Sequence, residues 1–132
     1  MAITARELLQ YAESLAQASE EVRVRNAAGR AFYAAHHSCR PVYDRLNAGR
    51  RTREGTHQRL IRLFTGFVGG PNEEVSRKVR AVGAMYRHAR ELRSKADYDI
   101  AIDFTRDECK VLLETAKTII EWMTELEDMN FG

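Results

Sequence analysis

Apolar positions recur at three- and four-residue spacing through most of the chain, the signature of helices that bury one face. Thr4 and Glu7 in TARE form a capping-box pair ahead of a first helix of about fourteen residues. Leu8, Tyr11 or Ala12, and Leu15 mark its apolar face. Ser19, Glu20 and Glu21 supply the cap and acidic first turn of a second helix, which runs to about Leu46 and stops at Gly49. Pro41 falls inside it and is expected to kink it, because proline lacks an N–H and crowds the turn before. After the loop NAGRRTREG, Thr56 is placed as the cap of a short helix with Leu60, Ile61, Leu63 and Phe64 inward. GGP at 69–71 is a break. Asn72, Glu73 and Glu74 then start a fourth helix, striped with Val75, Val79, Val82, Met85, Tyr86 and Ala89 and reaching about Arg93 or Lys95. A second capping box, Thr105 with Glu108, opens the last helix, whose apolar side runs from Leu112 and Leu113 through Ala116, Ile119, Ile120 and Met123 to near Leu126.

Only YDIAIDF alternates apolar and polar residues, and it is too short and solitary to build a sheet. Long helices with one apolar stripe bury it against each other. The expected fold is therefore all-α: an antiparallel bundle of four to five helices, one long and Pro-kinked, in a single domain over residues 1–132.

Charge changes this picture through its distribution more than its total. The 132 residues carry a formal net charge of +2, a mildly basic balance that permits an acidic partner without requiring one. Seven arginines lie between Arg40 and Arg62 against Asp44 and Glu54, while the chain from Asp103 to Asp128 is rich in acidic residues. Opposite poles can steer a phosphate-bearing ligand, or dock a second copy or a charged partner; a solvated face is the plain alternative. Cys39 and Cys109 show no CxxC spacing and join no zinc-type cluster. No signal-peptide core and no membrane-length apolar run are seen, so the expected compartment is the cytoplasm.

Three segments could carry chemistry. In RAFYAAHH, helical spacing lines up Arg30, Tyr33 and His37, while Phe32 and His36 point elsewhere. A guanidinium binds phosphate oxygens and stays charged; an imidazole near neutrality takes and returns a proton. Such a set could cleave RNA without metal, the base deprotonating a 2′-hydroxyl that attacks the adjacent phosphorus while arginine stabilises the developing charge. In LRSKADYD, Arg93 and Asp97 are spaced as an intrahelical ion pair and Tyr98 follows at a helix end. In REGTH, His57 follows Arg50, Arg51 and Arg53. Each segment has a bland alternative: hydrogen bonds between helices, a satisfied core histidine, a structural knot. No phosphate loop, HExxH, GxSxG or EF-hand motif is present, and no cofactor or metal ligand set is suggested.

NAAGRAFYAAHHS, THQRLIRLF, ELRSKADYD and DECKVLLETA, in that order, resemble the HEPN domain family, most closely its small stand-alone branch with N-R-x-Y-Y-A-x-x-H, S-H and R-x-x-A-D-Y motifs. The resemblance covers nearly the whole chain. It implies a helical bundle that pairs as a homodimer, and for many members a metal-independent endoribonuclease acting as toxin or in defence, beside a minimal nucleotidyltransferase antitoxin. Other members are non-catalytic nucleotide- or protein-binding modules. By position, Arg30, Phe32-Tyr33 and His37 match the second-helix motif, Thr56-His57 stands where Ser-His is usual, and Arg93, Ala96, Asp97 and Tyr98 match R-x-x-A-D-Y. For an RNase, the resemblance points to Arg30 and Arg93 on phosphate, His37 as acid/base, and Tyr33 and Tyr98 against the nucleotide, with His36, His57, Asp97 and the arginine loop as binding groups or polar network. One departure stands out: the late segment has Arg93 and Asp97 but lacks the histidine that RNase-active members carry there.

Overall fold

Thr4 opens α1 (Ala5–Ala16) with the reciprocal capping box, its hydroxyl accepting from the Glu7 backbone N–H while the Glu7 carboxylate accepts from Thr4. Four more helices follow in this computed structural model, which describes residues 3–17, 20–47 and 53–128: α2 (Glu21–Asn47), α3 (Thr56–Thr65), α4 (Glu73–Tyr98) and α5 (Arg106–Asp128). The fold is all-α as expected, and the described residues contain no strand; YDIAIDF ends α4 at Tyr98 and then forms the connection toward α5. Asn72 caps α4 by accepting from Val75 N–H, and the Thr105–Glu108 box opens α5. No helix among the described residues is long and apolar enough to cross a membrane.

The central element is α2, which touches all four others. Its buried side is mostly small: Ala27, Ala28, Ala31, Ala34 and Ala35. Side-chain size sets how near two helix axes can come, so the alanines let neighbours close in from several directions. Arg25 at the start of α2 meets the end of α4, and His36 further along meets Tyr86, so these two helices run antiparallel. Lys95–Glu108 and Lys78–Glu125 fix the same relation between α4 and α5, which leaves α2 and α5 parallel to one another. Cys39 and Cys109 are buried free thiols, their pKa values raised mainly by burial.

Several details differ from the sequence reading. α1 buries Leu9 and Ala12; Leu8 and Leu15 flank that seam, and Tyr11 is 55% exposed on the outer side. Thr56 is the first residue of α3 and not its cap; Gly55 holds that position in extended backbone, with no side-chain hydrogen bond. As expected, α2 runs on past Pro41, ending at Asn47, with the proline on an exposed position. Ser19 and Gly49, read as the start and stop of α2, lie outside the described residues, as do Arg50 and Arg51.

α4 runs on to Tyr98 because its last carbonyls have a partner that pattern alone hides. Arg25, only 9% exposed, donates from Nη1 to the carbonyls of Lys95, Ala96 and Asp99, and from Nη2 to that of Ile102. Its Nε is held by Glu21 at 3.0 Å, and its guanidinium lies 5.9 Å from the Phe104 ring centre. A cation at a helix C-terminus meets both the orphan carbonyls and the negative end of the macrodipole. Arg25→Met, which keeps the stem and removes the donors, is expected to destabilise the protein by about 3 kcal/mol in urea unfolding. At Gly83 an added Cβ would sit 2.8 Å from Phe64 Cβ and 2.9 Å from the Thr65 backbone nitrogen. Helix propensity favours alanine there by about 1 kcal/mol. The collision with α3 reverses the sign, and Gly83→Ala is expected to lower stability by about 2 kcal/mol in the same measurement.

Candidate functional site

Tyr86 is the largest fully buried side chain, and its hydroxyl lies where α2, α3 and α4 meet. A phenol ring supplies apolar area, but its buried O–H needs a partner. It has two: His36 Nδ1 at 2.8 Å from α2 and His57 Nδ1 at 2.6 Å from α3. Phe32 closes the cluster, 5.3 Å from the His57 ring and 5.1 Å from that of Tyr86, and the two imidazoles stand 5.0 Å apart edge to face.

Electrostatics keep both imidazoles neutral. Burial is the main cause at His36, with His57, His37 and Arg40 pushing the same way against Asp44; its pKa falls from 6.5 to about 4. Burial also lowers His57, helped by the Arg90 and Arg93 guanidiniums. Tyr86, Arg90 and Arg93 recur at i, i+4 and i+7 along α4, so they share its face. Burial raises the Tyr86 hydroxyl, which stays protonated.

Beside this cluster lies a second layer built on Arg93. Its guanidinium is 5.6 Å from the Phe32 ring centre, 5.8 Å from Tyr33 and 5.7 Å from Tyr98. Its Nε donates to Asp97 Oδ2 at 2.7 Å, leaving the terminal nitrogens without a hydrogen bond among the described residues. Tyr33, 42% exposed, stacks on exposed His37 at 6.3 Å, and His37 meets the edge of His36 at 5.7 Å. Gly29 lies beside the Asp97 carboxylate, whose Oδ1 is 3.5 Å from where a Cβ would stand, an ordinary contact distance. Tyr33, His36, His37, His57, Arg93, Asp97 and Tyr98 thus form one connected patch where α2, α3 and α4 meet.

Arg30 is exposed on α2 and takes no part in these ring and ion-pair contacts. Arg53 is exposed ahead of α3. In the same loop Glu54 is gripped by Arg62 and Arg59, which hold its carboxyl below the usual range and offset part of the arginine excess. An open cavity of about 520 Å³ between α1 and α5, walled by Glu13, Arg106 and Lys110 among others, lies away from the rings. Two grooves of about 370 and 440 Å³ along α3 and α4 share Ile61, Arg87 and Arg90, which connects them to the cations beside His57.

Two groups central to this geometry were not singled out from the sequence as site residues. Tyr86 reads there as one more position in an apolar stripe, and Arg90 is not singled out. The available signal was chemical: a tyrosine on a core-facing stripe has a hydroxyl that needs a partner when buried.

A family model described as HEPN domain matches residues 3–126. No curated protein and no solved structure gives a significant match.

Because folded His36 resists protonation, the unfolded chain binds that proton first as pH falls. Stability is expected to decline from about pH 6.5 toward pH 4, with no His36 contribution above that window, and His57 adds in the same direction. Urea midpoints measured against pH should show this slope, flattened in His36→Asn.

Proposed function

The chain belongs to the HEPN domain family, and on that premise we propose that it acts on RNA as a metal-independent endoribonuclease within a toxin–antitoxin or defence-type pair. Its proposed partners are a second copy of itself and a minimal nucleotidyltransferase antitoxin. The observation that carries this reading is a neutral His57 held by a buried hydroxyl and flanked by two arginines.

In this reading His57 takes over the acid/base role that the motif match gave to His37. An imidazole can accept a proton only while neutral, and the burial and cations around His57 keep it so. Its free nitrogen removes the 2′-hydroxyl proton; the 2′-oxygen bonds to phosphorus as the P–O5′ bond breaks. The departing 5′-oxygen takes a proton from water, and the His57 imidazolium returns its own to solvent, giving a 2′,3′-cyclic phosphate and a 5′-hydroxyl. Arg90 and the free terminal nitrogens of Arg93 stabilise the charge on the non-bridging oxygens. The exposed rings of Tyr33 and Tyr98 offer stacking faces to unpaired bases.

The Arg93–Asp97 pair favours a second reading, a non-catalytic module that binds nucleotide or protein. There the arginine is held among three rings to fix helix registry, and Asp97 offsets its charge.

Incubation of purified protein with mixed RNAs in EDTA separates the two. The nuclease reading expects products with cyclic phosphate ends and a loss of about a hundredfold or more in His57→Ala. Intact RNA with wild type, together with binding that weakens in an Arg90→Ala, Arg93→Ala double variant, would instead support the binding module.

A further inference from the structure

We infer that Tyr86 is a positioning residue that sets His36 and His57 in opposite tautomers: His57 carries its proton on Nδ1 and presents a lone pair on Nε2, while His36 accepts at Nδ1 and carries its proton on Nε2. The inference rests on the reading of His57 as the acid/base group.

It follows from counting protons around one oxygen. The Tyr86 side chain is fully buried, and its hydroxyl lies within hydrogen-bond distance of two Nδ1 atoms. The phenol has a single proton to donate. If both imidazoles donated to the oxygen, that O–H would lack an acceptor in the core; if both waited to accept, one would be left unserved. The arrangement that serves all three groups has one Nδ1 donating and the other accepting.

The surroundings choose the direction. Arg90 and Arg93 share the Tyr86 face of α4, and Arg93 lies against Phe32, which itself packs on His57. Cations beside an imidazole favour a lone pair over an N–H on its remaining nitrogen. His36 has a more mixed setting: Arg40 one turn on, exposed His37 at its edge, and Asp44 paired to Arg40 at 3.0 Å. The chain of donors therefore runs from His57 Nδ1–H to the Tyr86 oxygen, and from the Tyr86 O–H to His36 Nδ1.

The consequence is chemical. A neutral histidine free in water interconverts between tautomers, and only the form with a bare Nε2 can take a proton there. When His57 accepts a proton at Nε2, the Tyr86 oxygen already accepts from its Nδ1–H, so the imidazolium forms with its second donor satisfied. No proton moves along the chain; Tyr86 and His36 orient the base.

The test is nitrogen-15 NMR of labelled wild-type protein at neutral pH, correlating ring nitrogens with ring protons. The expected pattern is protonated Nδ1 with bare Nε2 for His57, and the reverse for His36. The same tautomer in both rings, the reverse order, or rapid exchange in either would overturn the inference. Tyr86→Phe should release His57 into exchange between forms. Because that variant removes a core hydroxyl and could fail to fold, His36→Asn serves beside it, and unchanged His57 nitrogen shifts in a folded His36→Asn would count against the coupled chain. These readouts are independent of turnover. The expected tautomers without RNA cleavage would leave the positioning role standing and remove the nuclease, whereas cleavage with other tautomers would do the opposite.

Discussion

One buried oxygen joins three helices. The Tyr86 hydroxyl is the point at which α2, α3 and α4 exchange hydrogen bonds, and the rings around it fill the remaining space. Each helix brings a different constraint. α4 carries the phenol and, one and two turns on, the two arginines; α2 contributes a histidine from an alanine-rich face; α3 adds the other histidine from its first turn. A buried polar group without a partner is costly, and one with two partners fixes both. Moving any of these helices would strand the hydroxyl or an imidazole. The chemistry available at the surface thus depends on a contact that is itself inside.

The outer layer of the patch depends on a second buried group. Arg25 gathers the carbonyls that end α4, and so decides that Asp97 and Tyr98 belong to the helix instead of the loop. With that end in place, Arg93 and Asp97 stand one turn apart and pair, and Tyr98 lies alongside the guanidinium. The Asp97 carboxylate is paired with the Arg93 Nε at 2.7 Å, which offsets its charge. What remains for a ligand is the far side of the guanidinium.

The fold was legible because its signals are local. Two capping boxes, the Asn72 cap and the GGP break mark ends, and 3.6-residue spacing marks faces; each depends on residues within a turn of one another. What local spacing leaves undetermined is whatever a distant partner decides. The end of α4 was placed early because Arg25 lies seventy or more positions away. The stripe of Arg30, Tyr33 and His37 shares a helix face, but only Tyr33 and His37 join the ring contacts, while Arg30 stays exposed. Helical spacing says which residues of one helix are neighbours; it does not say which helix comes to meet them. His57 stands alone in the sequence, and its contacts with Tyr86, Phe32 and His36 arise only from the packing of α3 against its neighbours.

Arg25 also bears on how the chain can assemble. Its acceptors lie 70 to 77 residues downstream, and the Cys109 thiol donates to Val24 across 85. A nascent chain that has emerged only as far as α3 therefore holds a cation with no carbonyls to meet, on a helix whose remaining faces await α4 and α5. Contacts of such sequence separation are the slow, late events of folding. The amino-terminal half is in effect a template that stays open until the carboxyl-terminal half arrives, and the molecule closes as a whole.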